Sequence, residues 1–147
     1  MTDSIRQQLI DKIDARLKLI KKTGGYKTDA GTNVSDWPDH DHEKAKLPSI
    51  VYKDPSNTKT ADSTKIWDND LTVELELRAA AGTTAAESLR EIIEDVYKAI
   101  GTDETWSGLA QKTIPVSEEM DVQQGDQKIA LAKLQIRIKY QTTKWQY

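Results

Sequence analysis

LTVELELR, residues 71–78, alternates between apolar and polar side chains at every position. Successive side chains of a strand point to opposite faces of its sheet, so this alternation predicts a strand with one buried face and one solvated face. Residues 127–142 repeat the pattern, with apolar side chains at alternate positions from Ala130 to Tyr140. Together the two stretches predict the centre of a sheet that has one apolar face.

Two amphipathic helices are predicted to cover that apolar face. Their apolar side chains recur every three or four positions, as one helical face requires. In residues 4–22 they are Ile5, Leu9, Ile13, Leu17 and Ile20, and in residues 85–100 they are Leu89, Ile92, Ile93, Val96 and Ile100. Ser4 with Gln7, and Thr84 with Glu87, fit the capping box that begins a helix. Glycines after each stripe predict where the helices end.

The remaining segments predict shorter strands and loops. Residues 26–37 predict a small hairpin that turns at Gly31 with a positive φ, and residues 49–53 predict a compact strand. Residues 38–48 are polar with a proline at each end, and residues 54–65 have no large apolar side chain, so both predict exposed loops. Residues 111–122 predict an edge strand that is interrupted at its proline.

These elements together predict an α+β fold. We expect one curved, mixed and mostly antiparallel sheet of about five strands, with the two main helices packed on one face. A length of 147 residues fits a single domain, residues 1–147, with its own core. No internal repeat or interdomain linker is evident in the sequence.

Composition excludes several classes of protein. The 24 acidic and 21 basic residues give a formal net charge of −3, so the chain lacks the excess of cations that non-specific nucleic-acid binding needs. Cysteine is absent, which excludes disulfides, thiolate metal sites and thiol nucleophiles. Charges are spread through the first 22 residues, unlike a signal peptide or a membrane span, so we expect no membrane partner.

One loop carries the candidate metal ligands Asp39, His40, Asp41, His42 and Glu43. Zinc sites draw ligands from separated, rigid elements, whereas here every donor lies within five consecutive residues. A solvated acidic loop is therefore the favoured interpretation, and a metal-dependent hydrolase or nuclease is the enzymatic alternative. The sequence has neither a G-x-S-x-G elbow nor a glycine-rich phosphate loop. We expect no enzyme, no catalytic residue and no cofactor.

Five residues near the end of the chain are candidates for binding a partner. Lys133, Arg137 and Lys139 fall on the polar face of the last predicted strand, where they could meet phosphate, an acidic partner or only solvent. Trp145 and Tyr147 follow that strand, and exposed aromatic side chains are enriched at subunit contacts. A peptide-binding adaptor that uses an open sheet edge is a further alternative.

The order of these elements resembles the tail terminator family of long-tailed bacteriophages, similar to the lambda-type minor tail protein. The stretches that carry the resemblance are LPSIVYK at residues 47–53, LTVELEL at residues 71–77, TAAESLREIIEDVYKAI at residues 84–100 and KLQIRIKYQT at residues 133–142. They share a pattern of apolar spacing and cover nearly the whole chain. Head-tail joining proteins and neck or tail-completion proteins have the same general architecture and remain alternatives.

The resemblance implies a structural virion component at the head–tail junction, assembled in the host cytoplasm. Such a protein forms a homo-oligomeric ring, usually a hexamer, that caps the tail tube and stops its polymerisation. Its implied partners are other copies of itself, the tail tube protein and a head-completion or neck protein. The Lys133, Arg137 and Lys139 face would then line the lumen through which DNA passes, in weak, sequence-blind contact.

Overall fold

The structure, a computed structural model, describes residues 3–37, 46–122 and 129–147. The elements in chain order are helix α1 (Ile5–Leu17), two 3₁₀ helices (Lys22–Gly24 and Ala30–Thr32), strands β1 (Val34–Asp36), β2 (Ser49–Ala61) and β3 (Ile66–Ala80), helix α2 (Ala85–Gly101), and strands β4 (Lys112–Asp121) and β5 (Ile129–Thr143). They form one open five-stranded mixed sheet with two α-helices, which confirms the predicted fold class.

The strands are ordered β1-β2-β3-β5-β4 across the sheet. Strand β1 pairs with β2 in parallel, and the other three pairs are antiparallel. At the centre, β3 and β5 are in register over their whole length, from Ile66 opposite Thr143 to Ala80 opposite Ile129. This pair contains the two alternating stretches, so the strand prediction is confirmed for residues 71–78 and, of the predicted residues 127–142, for those from 129 onward, since residues 127 and 128 lie outside the described part.

The core lies between one sheet face and the two helices. Helix α1 packs on α2 and β1, whereas α2 packs on α1, β3 and β5. Alternate residues of the two central strands are buried beneath the helices, where each large apolar side chain contributes about 1.5–3 kcal/mol of burial free energy. The buried residues of these strands include Leu71, Val73, Leu75, Leu77, Ala130, Ala132, Leu134, Ile136, Ile138 and Tyr140.

Helix α1 begins where the sequence predicts and ends five residues earlier. Ser4 Oγ accepts a hydrogen bond of 3.1 Å from the backbone N–H of Gln7, which confirms the cap, although the Gln7 side chain donates to Asp11 instead of completing a capping box. After Leu17, the backbone N–H groups of Leu19 and Ile20 donate to the carbonyl groups three residues earlier, as in a 3₁₀ helix. The Ile20 side chain is buried although it lies beyond the end of α1.

Helix α2 matches its predicted bounds to within one residue, but the capping hydrogen bond predicted at its start is not formed. The Thr84 side chain makes no capping hydrogen bond, so the predicted capping box is wrong at this position. Burial of its apolar side chains stabilises the helix instead. Its apolar stripe is buried against the sheet, including Leu89, Ile92 and Val96. Packing of the apolar face therefore specifies this helix without a side-chain cap.

The predicted hairpin at residues 26–37 is wrong. The segment forms the second 3₁₀ helix and then β1, which pairs in parallel with β2 rather than folding back on its own neighbour. Gly31 is buried, donates its N–H to Ile20 O at 2.8 Å and is not among the positive-φ residues. Its role is close backbone approach and not a turn.

The predicted loop at residues 54–65 is also wrong, because most of it belongs to a long hairpin. Strand β2 continues to Ala61 opposite Trp67, with an irregularity between Lys53 and Ser56, and only four residues connect it to β3. The sequence pattern predicted a loop because the residues of β2 in this outer half of the hairpin are polar even on the helix-side face of the sheet.

A hydrogen-bonded network replaces apolar packing there. Asn69 is buried; its Oδ1 accepts from Lys59 Nζ at 2.6 Å and from Asn57 Nδ2 at 3.2 Å, and its Nδ2 donates to Thr142 Oγ1 at 3.0 Å. Asn57 Nδ2 also donates to Tyr140 Oη at 3.0 Å. Hydrogen bonds between polar side chains thus replace apolar contacts in the outer half of the hairpin, although the buried Asn57 Oδ1 has no partner among the described residues.

A strained turn links α2 to β4 and depends on one carboxylate. Trp106, Ser107 and Gly108 have φ values of 54°, 62° and 83°, a left-handed conformation that costs free energy for non-glycine residues. Asp103 accepts hydrogen bonds from the Thr105 hydroxyl at 2.6 Å and from the backbone N–H groups of Thr105 and Ser107. These bonds lower the pKa of Asp103 to about 2.

We therefore expect Asp103 to stabilise the protein in a pH-dependent way. Its folded pKa of about 2 lies below the ordinary value of 3.8, so the contribution is present above about pH 4 and is lost as the pH falls towards 2. Asp103→Asn should lower the melting temperature at pH 7, and its difference from the wild type should shrink between pH 4 and pH 2. Thermal unfolding measured across this range tests the prediction. A difference that stayed constant with pH would contradict it.

Candidate functional site

Lys133, Arg137 and Lys139 lie on the sheet face opposite the helices, as predicted. Arg137 Nε donates to Asp70 Oδ1 at 3.0 Å on the neighbouring strand, and this hydrogen bond raises the pKa of the Arg137 guanidinium. Lys133 is in register with Glu76 on one side and Glu119 on the other. Arg137 is thus paired with a carboxylate of the same sheet face.

This face is not a positive surface in the part of the chain that the structure describes. Its register brings carboxylates and cations together in comparable numbers; they are Lys53, Arg78, Lys112, Lys133, Arg137 and Lys139 with Asp68, Asp70, Glu74, Glu76, Glu119 and Asp121. A shallow depression of about 210 Å³ in its centre is lined by charges of both signs. The charges largely offset one another, which leaves little field to attract a polyanion.

Trp145 and Tyr147 lie on the helix side, beside the outer half of the β2–β3 hairpin. Trp145 packs edge-on against Trp67, with ring centroids 4.7 Å apart, and still leaves 86% of its surface exposed. Lys59 Nζ is 5.4 Å from the centre of the Trp67 ring, and the Arg6 guanidinium is 5.3 Å from that of Tyr147. We call Trp67, Trp145 and Tyr147 the aromatic cluster.

The aromatic cluster and the charged face are therefore separate. The residues of the cluster belong to the helix side of the sheet, whereas Lys133, Arg137 and Lys139 belong to the other face. Arg6 Nε also pairs with Asp54 at 2.9 Å, which ties the start of α1 to the hairpin beneath the cluster. The five predicted interaction residues thus form two surfaces and not one.

Trp106 is a core residue. It is buried, donates Nε1–H to Thr113 Oγ1 at 2.7 Å and lies 4.0 Å beneath the Arg16 guanidinium. Burial lowers the pKa of Arg16, the nearby Asp103 opposing this effect, and the Arg16 guanidinium also donates to the Ile100 carbonyl at 3.3 Å. This cluster joins the ends of both helices to β4.

The flank of β4 is an exposed apolar surface that the sequence interpretation missed. Among the described residues, α2 packs mainly on β3 and β5 and reaches β4 through Tyr97, so the far half of the helix-side face of β4 stays exposed. Met120 lies on that face, in register with buried Ala132, yet is 39% exposed. We call Tyr97, Val116, Glu118, Met120 and Val122 the β4 flank.

The β4 flank has both apolar and polar groups. Val116, Val122 and Tyr97 are exposed like Met120, and Tyr97 Oη donates to Glu118 Oε2 at 3.1 Å. Partial burial and this hydrogen bond raise the pKa of Tyr97. Strand β4 pairs with β5 alone in the described sheet, so its other side presents backbone N–H and C=O groups that no described strand pairs.

The metal candidates Asp39, His40, Asp41, His42 and Glu43 lie outside the described residues. Within residues 3–37, 46–122 and 129–147, no group of three or more histidine, cysteine or acidic side chains is arranged to hold a metal ion. In the same ranges, no helix is long and apolar enough to cross a membrane.

Comparison with known proteins gives no relative: no family model matches the chain, and no curated protein matches it.

Proposed function

We propose that this chain is a structural assembly protein that associates with copies of itself. The β4 flank is the observation that carries the proposal. These apolar side chains lie on an edge that no described strand pairs, beside a part of the sheet that no described helix fully covers. Such a surface is a liability for a monomer and a suitable contact for a subunit. Pro115 and the irregularity between Pro115 and Ser117 interrupt this edge, but Val116, Met120 and Val122 remain exposed along it, which favours an assembly role.

The narrower proposal is a tail terminator of a long-tailed phage, and it rests on the resemblance in element order and apolar spacing. In this proposal copies form a hexameric ring at the head–tail junction, cap the tail tube and present a surface to the neck. The aromatic cluster is a second candidate contact, because Trp145 and Tyr147 remain exposed after packing against the hairpin. DNA contact through Lys133, Arg137 and Lys139 receives little support, since acids lie among them.

We expect Met120→Asp to weaken self-association at least tenfold, which corresponds to about 1.4 kcal/mol. The substitution places a charge where the proposed contact excludes water. Sedimentation velocity across a range of protein concentrations measures the association constant. Ile66→Asp is the matched control, because Ile66 is 36% exposed but lies at the end of the β2–β3 hairpin. A wild-type chain that remains monomeric, or equal effects of both variants, would contradict the self-assembly proposal.

The terminator role needs a separate test with tail tubes. Electron microscopy of polymerising tube protein should show the chain bound at one tube end, and tubes should stop lengthening after it is added. Binding to neck complexes without any effect on tube length would instead favour a head-tail joining or tail-completion role. Self-association without binding to either would reject the phage role and leave the assembly proposal standing.

A further inference from the structure

A basic segment follows helix α1. Residues 15–28 contain five cations and no acid. Lys18 pairs with Asp14 at 2.7 Å, whereas Lys21 and Lys22 are exposed and form no ion pair with any described residue. Leu19 lies between Lys18 and Lys21 in the sequence, and 64% of its surface is exposed. We call residues 18–22 the basic segment: it presents an apolar side chain surrounded by positive charge.

The β4 flank has the opposite charge. The last four residues of β4 include Glu118, Glu119 and Asp121, and all three are exposed. Glu118 lies beside the exposed apolar side chain of Met120 on the helix-side face, whereas Glu119 and Asp121 lie on the other face of the same edge strand. Both surfaces therefore have an apolar centre and a charged rim, but the rims differ in sign.

The two surfaces lie on different sides of the helix layer. Helix α1, which leads into the basic segment, packs on β1 at one edge of the sheet, and the β4 flank forms the other edge. Helix α2 lies between them, as its contacts with α1 and with β5 show. Among the described residues, no hydrogen bond or ion pair joins the basic segment to the flank within one copy, so the complementarity between them is available for contact between copies.

We infer that the β4 flank of one copy binds the basic segment of a second copy. Leu19 of the second copy covers Met120, and Lys21 and Lys22 reach Glu118 on the helix-side face and Asp121 around the open edge of the strand. Apolar burial supplies affinity, and opposite rims give orientation and faster association. This inference rests on the proposed self-assembly and names the surfaces that it uses.

A two-fold contact between two β4 flanks is disfavoured by the same charges. It would bring Glu118, Glu119 and Asp121 of one copy against the same three acids of the other, and juxtaposed like charges oppose binding. A contact between two different surfaces leaves the pair with one free flank, on one copy, and one free basic segment, on the other. Successive copies can then add head to tail, which gives a ring if the rotation closes and a filament if it does not.

Charge exchange tests the inference. One variant carries Glu118→Lys with Asp121→Lys, and the other carries Lys21→Glu with Lys22→Glu. Each alone should associate at least tenfold more weakly than the wild type in sedimentation velocity, because its own two surfaces now repel each other. An equimolar mixture should recover association, with alternating copies detected by native mass spectrometry, since each variant then offers the surface that the other needs.

Circular dichroism and thermal unfolding of each variant establish that it folds, and all four positions are exposed. Association of the wild type should also weaken at high salt, because exposed charges are screened. If the wild type associates but the mixture does not recover, or if the Lys21 and Lys22 variant associates normally, the inference is wrong and the assembly proposal stands. A wild-type chain that never associates overturns both.

Discussion

Gly31→Ala is expected to lower the free energy of unfolding by about 3 kcal/mol, with a fall of roughly 10 °C in melting temperature. A Cβ atom at this position would lie 2.5 Å from Leu17 O and 2.7 Å from Ile20 O. Both contacts are with backbone atoms, so a change of side-chain rotamer cannot relieve them. The chain after α1 would have to move away from the 3₁₀ helix at Ala30–Thr32, and buried Ile20 would move with it.

Gly101→Ala is the matched control for this prediction. A Cβ at Gly101 would meet no atom within 4 Å, and the residue lies in the last turn of α2. Alanine is favoured over glycine in a helix, so we expect this variant to be as stable as the wild type or up to about 1 kcal/mol more stable. Chemical denaturation of the two variants gives the comparison. Equal stability of Gly31→Ala and the wild type would refute the close approach described here.

The second large effect is expected at Asp95, a buried carboxylate on α2. It accepts hydrogen bonds from the backbone N–H of Lys27 at 3.0 Å, from that of Thr28 at 2.8 Å, and from the Thr28 hydroxyl at 2.7 Å. Removing it with Asp95→Ala leaves these donors without their acceptor in a buried site. Because hydrogen bonds to charged groups are the stronger kind, we expect a loss of about 3 kcal/mol in unfolding free energy.

Glu94→Ala is the control for Asp95, since the two residues are adjacent on the same helix. Glu94 pairs with Lys27 Nζ at 2.7 Å, but its side chain is 59% exposed. Exposed ion pairs contribute about 0–1 kcal/mol, so this variant should remain near wild-type stability. Asp95→Asn should recover only part of the loss, because its amide N–H₂ group would face backbone donors. Similar stabilities for Asp95→Ala and Glu94→Ala would show that the carboxylate does not hold residues 27–28.

The sequence predicted the elements whose side chains follow a simple apolar period. Strands β3 and β5 alternate at every second position where they are covered, and α2 has a complete apolar stripe, so their positions follow from burial of one face. The outer half of β2 escaped prediction for a physical reason. Its helix-side residues Asn57 and Lys59 donate hydrogen bonds to Tyr140 on β5 and to Asn69 on β3, and such partners cannot be identified from local periodicity.

The candidate surfaces were predictable in part. The face on which Lys133, Arg137 and Lys139 lie follows from strand alternation, but the acids beside them belong to other strands and depend on register. The contact of Trp145 with Trp67 depends on the hairpin that was interpreted as a loop. The β4 flank depends on which helix covers which strand, and that is a property of the assembled fold.

The position of β5 also has a consequence for biosynthesis. Strand β5 comes last in the chain order of elements but lies between β3 and β4 in the sheet, so its pairs with β3 join residues that are far apart in sequence. A nascent chain emerging from the ribosome cannot complete its core until residues 129–143 have been synthesised. Until then β3 has an unpaired edge and α2 lacks the β5 part of the apolar face that it covers, a state that is prone to aggregation and suited to chaperone binding. Slow translation before this strand would therefore prolong the vulnerable interval.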